Sequence, residues 1–192
     1  VALVTVLLVA GPLFGAALER VIMRRLDGTS EATRLVVTIS LLLGLLGASL
    51  AVWGPGVNRP VRQLFQGNVV EVAGVRIPWH QVIALAVAAA VAVGLRLLLH
   101  RTRAGVTMRA AVDAPALAAL NGARPERSAM LAWAIGCSLA ALSGILVAPT
   151  LTLSAVPLTL LVVNAYGAAV FGRLRSLPMT FVGAIVVGCM EA

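Results

Sequence analysis

Apolar blocks with almost no charge recur along the chain, each close to the length of a membrane-crossing helix and parted from the next by a short polar stretch. An α-helix rises 1.5 Å per residue, so roughly 20 apolar residues cross a hydrocarbon core about 30 Å thick. Six segments fit that template. They run to about Leu18, from Leu35 to Trp53, from His80 to Leu99, from Ala129 to Ala148, from Leu158 to Phe171, and onward from Met179. With 60% hydrophobic and 11% charged residues, against about 25% charged in soluble domains, the chain is not an ordinary soluble globular protein. The expected fold class is all-α, a polytopic integral membrane helical bundle formed by a single transmembrane domain over residues 1–192. Both ends lie inside apolar runs, so the expectation is a fragment truncated at both ends.

All 15 basic residues are arginine, and they alternate in density from loop to loop. Arg20, Arg24, Arg25 and Arg34 follow the first block, Arg101, Arg103, Arg109, Arg124 and Arg127 the third, and Arg173 and Arg175 the fifth. The loop after the second block holds Arg59, Arg62 and Arg76, and the loop after the fourth holds none. Basic residues in short loops resist translocation, which places the first group on the cytoplasmic side and residues 54–79 outside. Trp53 and Trp79 then mark the outer interface, and Arg96 snorkels from the inner end of its helix. The net charge of +8 does not point to nucleic acid. The arginines sit between apolar blocks, and 4% aromatic residues supply too few rings for base stacking. The fifth block is short, flanked by Pro149 and Pro157, and a re-entrant path is the alternative to a span; Arg173 and Arg175 favour the span.

Chemistry inside a membrane needs ionisable groups facing a cavity. Glu191 is the one acid read within a span, and no paired carboxylates, HExxH helix or Ser/His arrangement is found. His80 and His100 stand at opposite ends of one helix, about 30 Å apart, too far to share a proton or a metal. Cys137 and Cys189 have neither disulfide nor metal spacing. No catalytic or metal site is therefore expected, and without a GxxxxGK[ST] loop any ATP is bound by another polypeptide.

The cytoplasmic stretch 100–128 is long for a connector. Asp113 is placed to cap a helix with Pro115 in its first turn, continued by Leu117 and Leu120 and ended by Asn121 and Gly122. Met108, Val112, Leu117 and Leu120 are candidates to enter a groove on a partner, with Arg109 and Asp113 fixing orientation. An interfacial helix with no partner fits the same pattern. Small residues at helical spacing, Gly11 with Gly15, Gly44 with Ala48, Gly136 with Ala140 and Gly144, and Ala184 with Gly188, allow close helix packing. Thr38, Ser40, Ser138, Ser143, Asn164 and Tyr166 are candidate polar groups along a translocation path; hydroxyls in membrane helices also bond to their own backbone. Outside, NVVEVAGVRIPW reads as a hairpin turning near Ala73 and Gly74, either a binding-protein contact or a lid.

The stretch TRAGVTMRAAVDAPALAALNGARPERSAMLAWAIGCSLAALSGIL resembles the cytoplasmic loop and following helix of the permeases of branched-chain amino acid ABC importers, the Liv permease family. ERVIMRRLDGTSEATRLVVTISLLLGL and NAYGAAVFGRLRSLPMTFVGAIVVGCMEA resemble its basic loop with the next span and its late glycine-rich hairpin. The resemblance implies a permease in the bacterial cytoplasmic membrane that pairs with an identical or related permease. It further implies a solute-binding protein outside, two cytoplasmic ABC ATPases, and no cofactor on this chain, with ATP on the partner subunit. Carried onto matching positions, it assigns Arg109, Asp113, Ala118, Leu120 and Gly122 to ATPase docking and Gly144 to helix packing. A sugar-type permease is the alternative within transport; a membrane scaffold or intramembrane enzyme is the alternative outside it. In the late hairpin this chain departs from the family's neutral glycine-rich turn, carrying Arg173 and Arg175.

Overall fold

A computed structural model describes residues 5–54, 69–72, 75–149, 155–173 and 176–191. After a π-helical turn, Val6–Ala10, come helices α1 (Gly11–Val21) and α2 (Glu31–Trp53), separated by a 3₁₀ turn, Met23–Leu26. A two-stranded ribbon, β1 (Val69–Val72) and β2 (Val75–Pro78), leads into α3 (Trp79–Arg101). Then follow α4 (Arg103–Asp113), α5 (Pro115–Leu120), α6 (Pro125–Val147), α7 (Ala155–Phe171) and α8 (Leu177–Glu191). The six apolar blocks correspond to α1, α2, α3, α6, α7 and α8. Of these, α2, α3 and α6 have 23 residues each and enough apolar character to cross a membrane, about 35 Å at the α-helical rise. The helices α7 and α8 are shorter, with 17 and 15 residues. Helices with no hydrophobic face turned inward are what a lipid solvent permits, and α2 has no buried residue along its length.

Local chemistry sets the helix ends. The Ser30 hydroxyl accepts from the Thr33 amide at 3.2 Å, starting α2, and Gly54 closes it at φ +78°, its amide donating to the Leu50 carbonyl. The expected outer hairpin is present. Antiparallel register pairs Val69 with Pro78, Val70 with Ile77, Glu71 with Arg76 and Val72 with Val75; the turn at Ala73 and Gly74 lies outside the described residues.

The chain forms two compact units. In the first, containing α1, α2, α4, α5 and α6, the close approach is between α1 and α6. A Cβ at Gly11 would stand 3.0 Å from the Ser138 Cα, and one at Gly15 would overlap the Trp133 carbonyl and lie 2.8 Å from the Ala134 Cα. The two glycines one turn apart thus let α1 lie directly on the α6 backbone. In the other small-residue sets, a Cβ at Gly44, Gly136, Gly144 or Gly188 would meet no atom of the described residues within 4 Å.

In the second unit, containing the ribbon, α3, α7 and α8, the late segment is an antiparallel helical hairpin. A Cβ at Gly183 would meet the Phe171 Cβ at 2.6 Å, and one at Gly172 would meet the Thr180 amide nitrogen at 2.8 Å. Here the departure from the family pattern has a backbone consequence. Arg173 adopts φ +52°, a left-handed conformation that glycine enters without steric cost and that costs other residues about 1–2 kcal/mol. Its amide donates to the Val170 carbonyl at 2.8 Å, which holds it there; Leu174 and Arg175 lie outside the described residues. His80, read from sequence as an interfacial residue, is 2% exposed.

Candidate functional site

The stretch 100–128, expected to be cytoplasmic, folds into two short helices set against α6. The Thr102 hydroxyl accepts from the Gly105 amide at 3.1 Å and starts α4. One expectation is corrected here: Asp113 is the last residue of α4 and does not cap α5. Ala114 takes the cap position with φ −151° and ψ 78° and makes no side-chain cap bond. The cause is Pro115, whose ring disfavours the helical conformation in the residue before it, so the break falls at Ala114. The far end follows the sequence reading. Asn121 Nδ2 donates to the Leu117 carbonyl at 2.9 Å, Gly122 sits at φ +80°, and the Ala123 amide reaches back to the Ala118 carbonyl at 3.0 Å. These bonds close the last turn of a six-residue helix that would be marginal alone.

An open cleft of about 380 Å³ runs between α4 and α5, and Asp113, Leu117, Ala118 and Gly122 line it together. Four of the six residues singled out for docking therefore meet. Arg109 and Leu120 do not line this cleft; both are exposed, Leu120 by 83%. Ala118 is buried and anchors the helix, while Leu117 and Val112 are 62% and 82% exposed. Met108 lies instead on a second cleft with Glu19, Asp27 and Glu126. The result is a short helix anchored at Ala118 that leaves Leu117 and Leu120 exposed.

Of the candidate path residues, Thr38, Ser40, Ser138 and Ser143 belong to the first unit and Asn164 and Tyr166 to the second. The Thr38 hydroxyl donates to the Leu35 carbonyl and that of Ser138 to the Ala134 carbonyl, each within its own helix. Ser138 sits at the Gly11 contact, a packing position. Ser40 and Ser143 are exposed, Asn164 is half-buried, and Tyr166 is 66% exposed. None of these six lines the clefts beside the stretch 100–128.

An ion-pair group was missed from sequence. The first span was expected to end near Leu18 and to contain no acid, but α1 continues to Val21 and Glu19 is 3% exposed within it. Arg24 donates to both Glu19 oxygens, at 3.2 and 3.1 Å, and its third nitrogen lies 3.1 Å from Glu126 on α6. The hydrogen bonding of the guanidinium to the Glu19 carboxylate is the largest influence on it. With the charges of Glu19, Glu126 and Asp27 it holds Arg24 above the ordinary arginine pKa, against the opposing effect of burial. The bridge ties the loop after α1 to the start of α6. Glu19 and Arg24 are five residues apart and Glu126 is distant in sequence; the available signal was one of only seven acids at the edge of a span. Among the described residues, no three His, Cys, Asp or Glu side chains gather to hold a metal ion.

Comparison with known proteins follows the same line. The family described as the branched-chain amino acid transport system / permease component matches residues 1–192. The probable branched-chain amino acid transport permease protein LivH of Methanocaldococcus jannaschii is 30% identical over 102 residues, 52% of this chain and 32% of that protein. The high-affinity branched-chain amino acid transport system permease protein BraD of Pseudomonas aeruginosa is 28% identical over 184 residues, 93% of this chain and 60% of that protein. The chain thus spans less than two thirds of the length of either relative, and no solved structure matches it. A multi-pass membrane protein by its apolar helices and matched along its whole length, the chain belongs to the permease components of branched-chain amino acid transport systems.

Proposed function

We propose that the chain is part of the membrane-spanning permease of an ABC importer that moves branched-chain or related hydrophobic amino acids across the bacterial cytoplasmic membrane. Two separate cytoplasmic ATPases supply the energy, an identical or related permease completes the pathway, and an extracytoplasmic binding protein delivers the cargo. The observation that carries this reading is the capped α5 element, with Leu117 and Leu120 exposed beside a cleft. Apolar anchors on a short rigid helix fit a groove on a partner. A push on that helix travels through Ala118 and the α4–α6 packing to a span, as a rigid-body rearrangement. The relatives' names support branched-chain amino acids as cargo.

Cysteines replacing Leu117 and Leu120 should crosslink in native membranes to an ATPase subunit, identified by mass spectrometry, and ATP should change the yield. Crosslinks to lipid alone from both positions would overturn the docking role. The orientation is tested separately in intact cells. A cysteine in place of Ala104 should resist a membrane-impermeant thiol reagent and one in place of Trp79 should react; the reverse pattern would invert the topology.

A further inference from the structure

Four arginines from two segments far apart in sequence converge on one cleft of about 460 Å³. Arg20 and Arg24 come from α1 and the turn after it, Arg124 from the residue before α6 and Arg127 from its first turn, and Glu126 and Met130 also line the cleft. Loop composition explains why arginines are on this side of the membrane. It does not explain their gathering, nor how the nearby acids are used. Both carboxylates in reach, Glu19 and Glu126, are taken by Arg24. Among the described residues no carboxylate lies within ion-pair distance of Arg20, Arg124 or Arg127, so the cleft keeps an excess of positive charge.

We infer that this cleft binds the phosphate of an anionic membrane phospholipid. Guanidinium forks match phosphate oxygens two at a time, and a basic cleft between spans at the cytoplasmic face suits a lipid headgroup. Position favours lipid over free phosphate, although both offer the same chemistry. The cleft lies at the end of the α1–α6 pair, where Arg20 adjoins Val21, 59% exposed, and Met130 adjoins Leu131, 44% exposed. A headgroup there leaves its acyl chains against apolar helix surface. Bound lipid would join α1 to α6 beside the Arg24 bridge and thereby brace the docking element. The inference holds whatever the cargo.

The test is native mass spectrometry of the purified full-length permease titrated with phosphatidylglycerol or phosphatidylcholine. Phosphatidylglycerol should be retained preferentially. Arg20→Gln with Arg127→Gln should weaken it about thirtyfold, at about fivefold per arginine near a membrane surface. Arg101→Gln with Arg103→Gln removes the same charge outside the cleft and should change retention less than twofold. Should the first double variant elute as aggregate, Arg20→Lys with Arg127→Lys keeps the charge without the fork and should weaken retention about fivefold. Equal retention of both lipids, equal loss in both arginine pairs, or no loss in the cleft variant overturns the inference. Displacement of the lipid by millimolar inorganic phosphate would assign the cleft to a free anion. Loss of a copurifying ATPase with lipid retention unchanged would assign it to a protein partner; either result overturns the lipid reading.

Discussion

Gly15→Val is expected to abolish the monodisperse elution of the protein in detergent, and Gly15→Ala to lower its thermal stability measurably. A Cβ at this position overlaps the Trp133 carbonyl and stands 2.7 Å from its carbon and 2.8 Å from the Ala134 Cα. What stands in the way is helix backbone, which cannot swing aside as a side-chain end would. One forced methyl group in a packed interface costs about 1–3 kcal/mol, and the two further methyls of valine add to it. Hydrophobic burial does not compensate, because in lipid the helices are held by close packing and not by escape from water. Gly11→Ala, whose Cβ would meet the Ser138 Cα at 3.0 Å, should do less harm. Gly136→Ala meets nothing within 4 Å and should be neutral, or stabilising by up to about 1 kcal/mol through helix propensity. Thermal scans with fluorescence-detected size exclusion decide the matter. If Gly15→Val melts and elutes like the parent, α1 and α6 do not pack along this seam.

The second large effect is expected in function with stability intact. Leu117→Glu with Leu120→Glu should reduce ATP-dependent uptake of branched-chain amino acids by at least about thirtyfold, the cost of losing a strong apolar anchor at an interface. The protein itself should not notice. The two leucines are 62% and 83% exposed, and surface substitutions of that kind usually stay within about 0.5 kcal/mol. The melting temperature should hold while the ATPase ceases to copurify. Ala118→Glu is the opposite case. Ala118 is buried, so a carboxylate there breaks the packing of α5 itself and lowers stability together with uptake. Uptake unchanged in the double leucine variant would remove α5 from the coupling path.

Much of this protein was readable as a string because lipid imposes a simple rule. Every backbone polar group in the hydrocarbon must be satisfied within its own helix, so length and apolarity mark the spans, and α2, α3 and α6 follow that rule directly. Caps were readable for a similar reason, since Gly122 at φ +80° reflects what its own residue type tolerates. The ribbon was also legible, because two valine-rich runs so close together in sequence admit few registers.

Asp113 was misread through a neighbour. An acidic residue two before a proline suggested a cap, but the proline constrains Ala114 first. Glu19 was overlooked because a carboxylate at a helix end is ordinary until something buries it, and what buries it is Arg24 and the start of α6. The small-residue spacings show the limit most clearly. Four sets satisfied the same pattern, and among their glycines only Gly11 and Gly15 meet a neighbouring backbone within the described residues. Spacing along one helix says that a close approach is permitted; which helix approaches is a property of two segments far apart in the chain. By itself the sequence determined the apolar helices and the C-terminal closure of α5 at Asn121 and Gly122, both consequences of interactions within a few residues. The tertiary structure decided which glycines carry packing and which arginine is paired with carboxylates, because those outcomes depend on α1 and α6 meeting across more than a hundred residues.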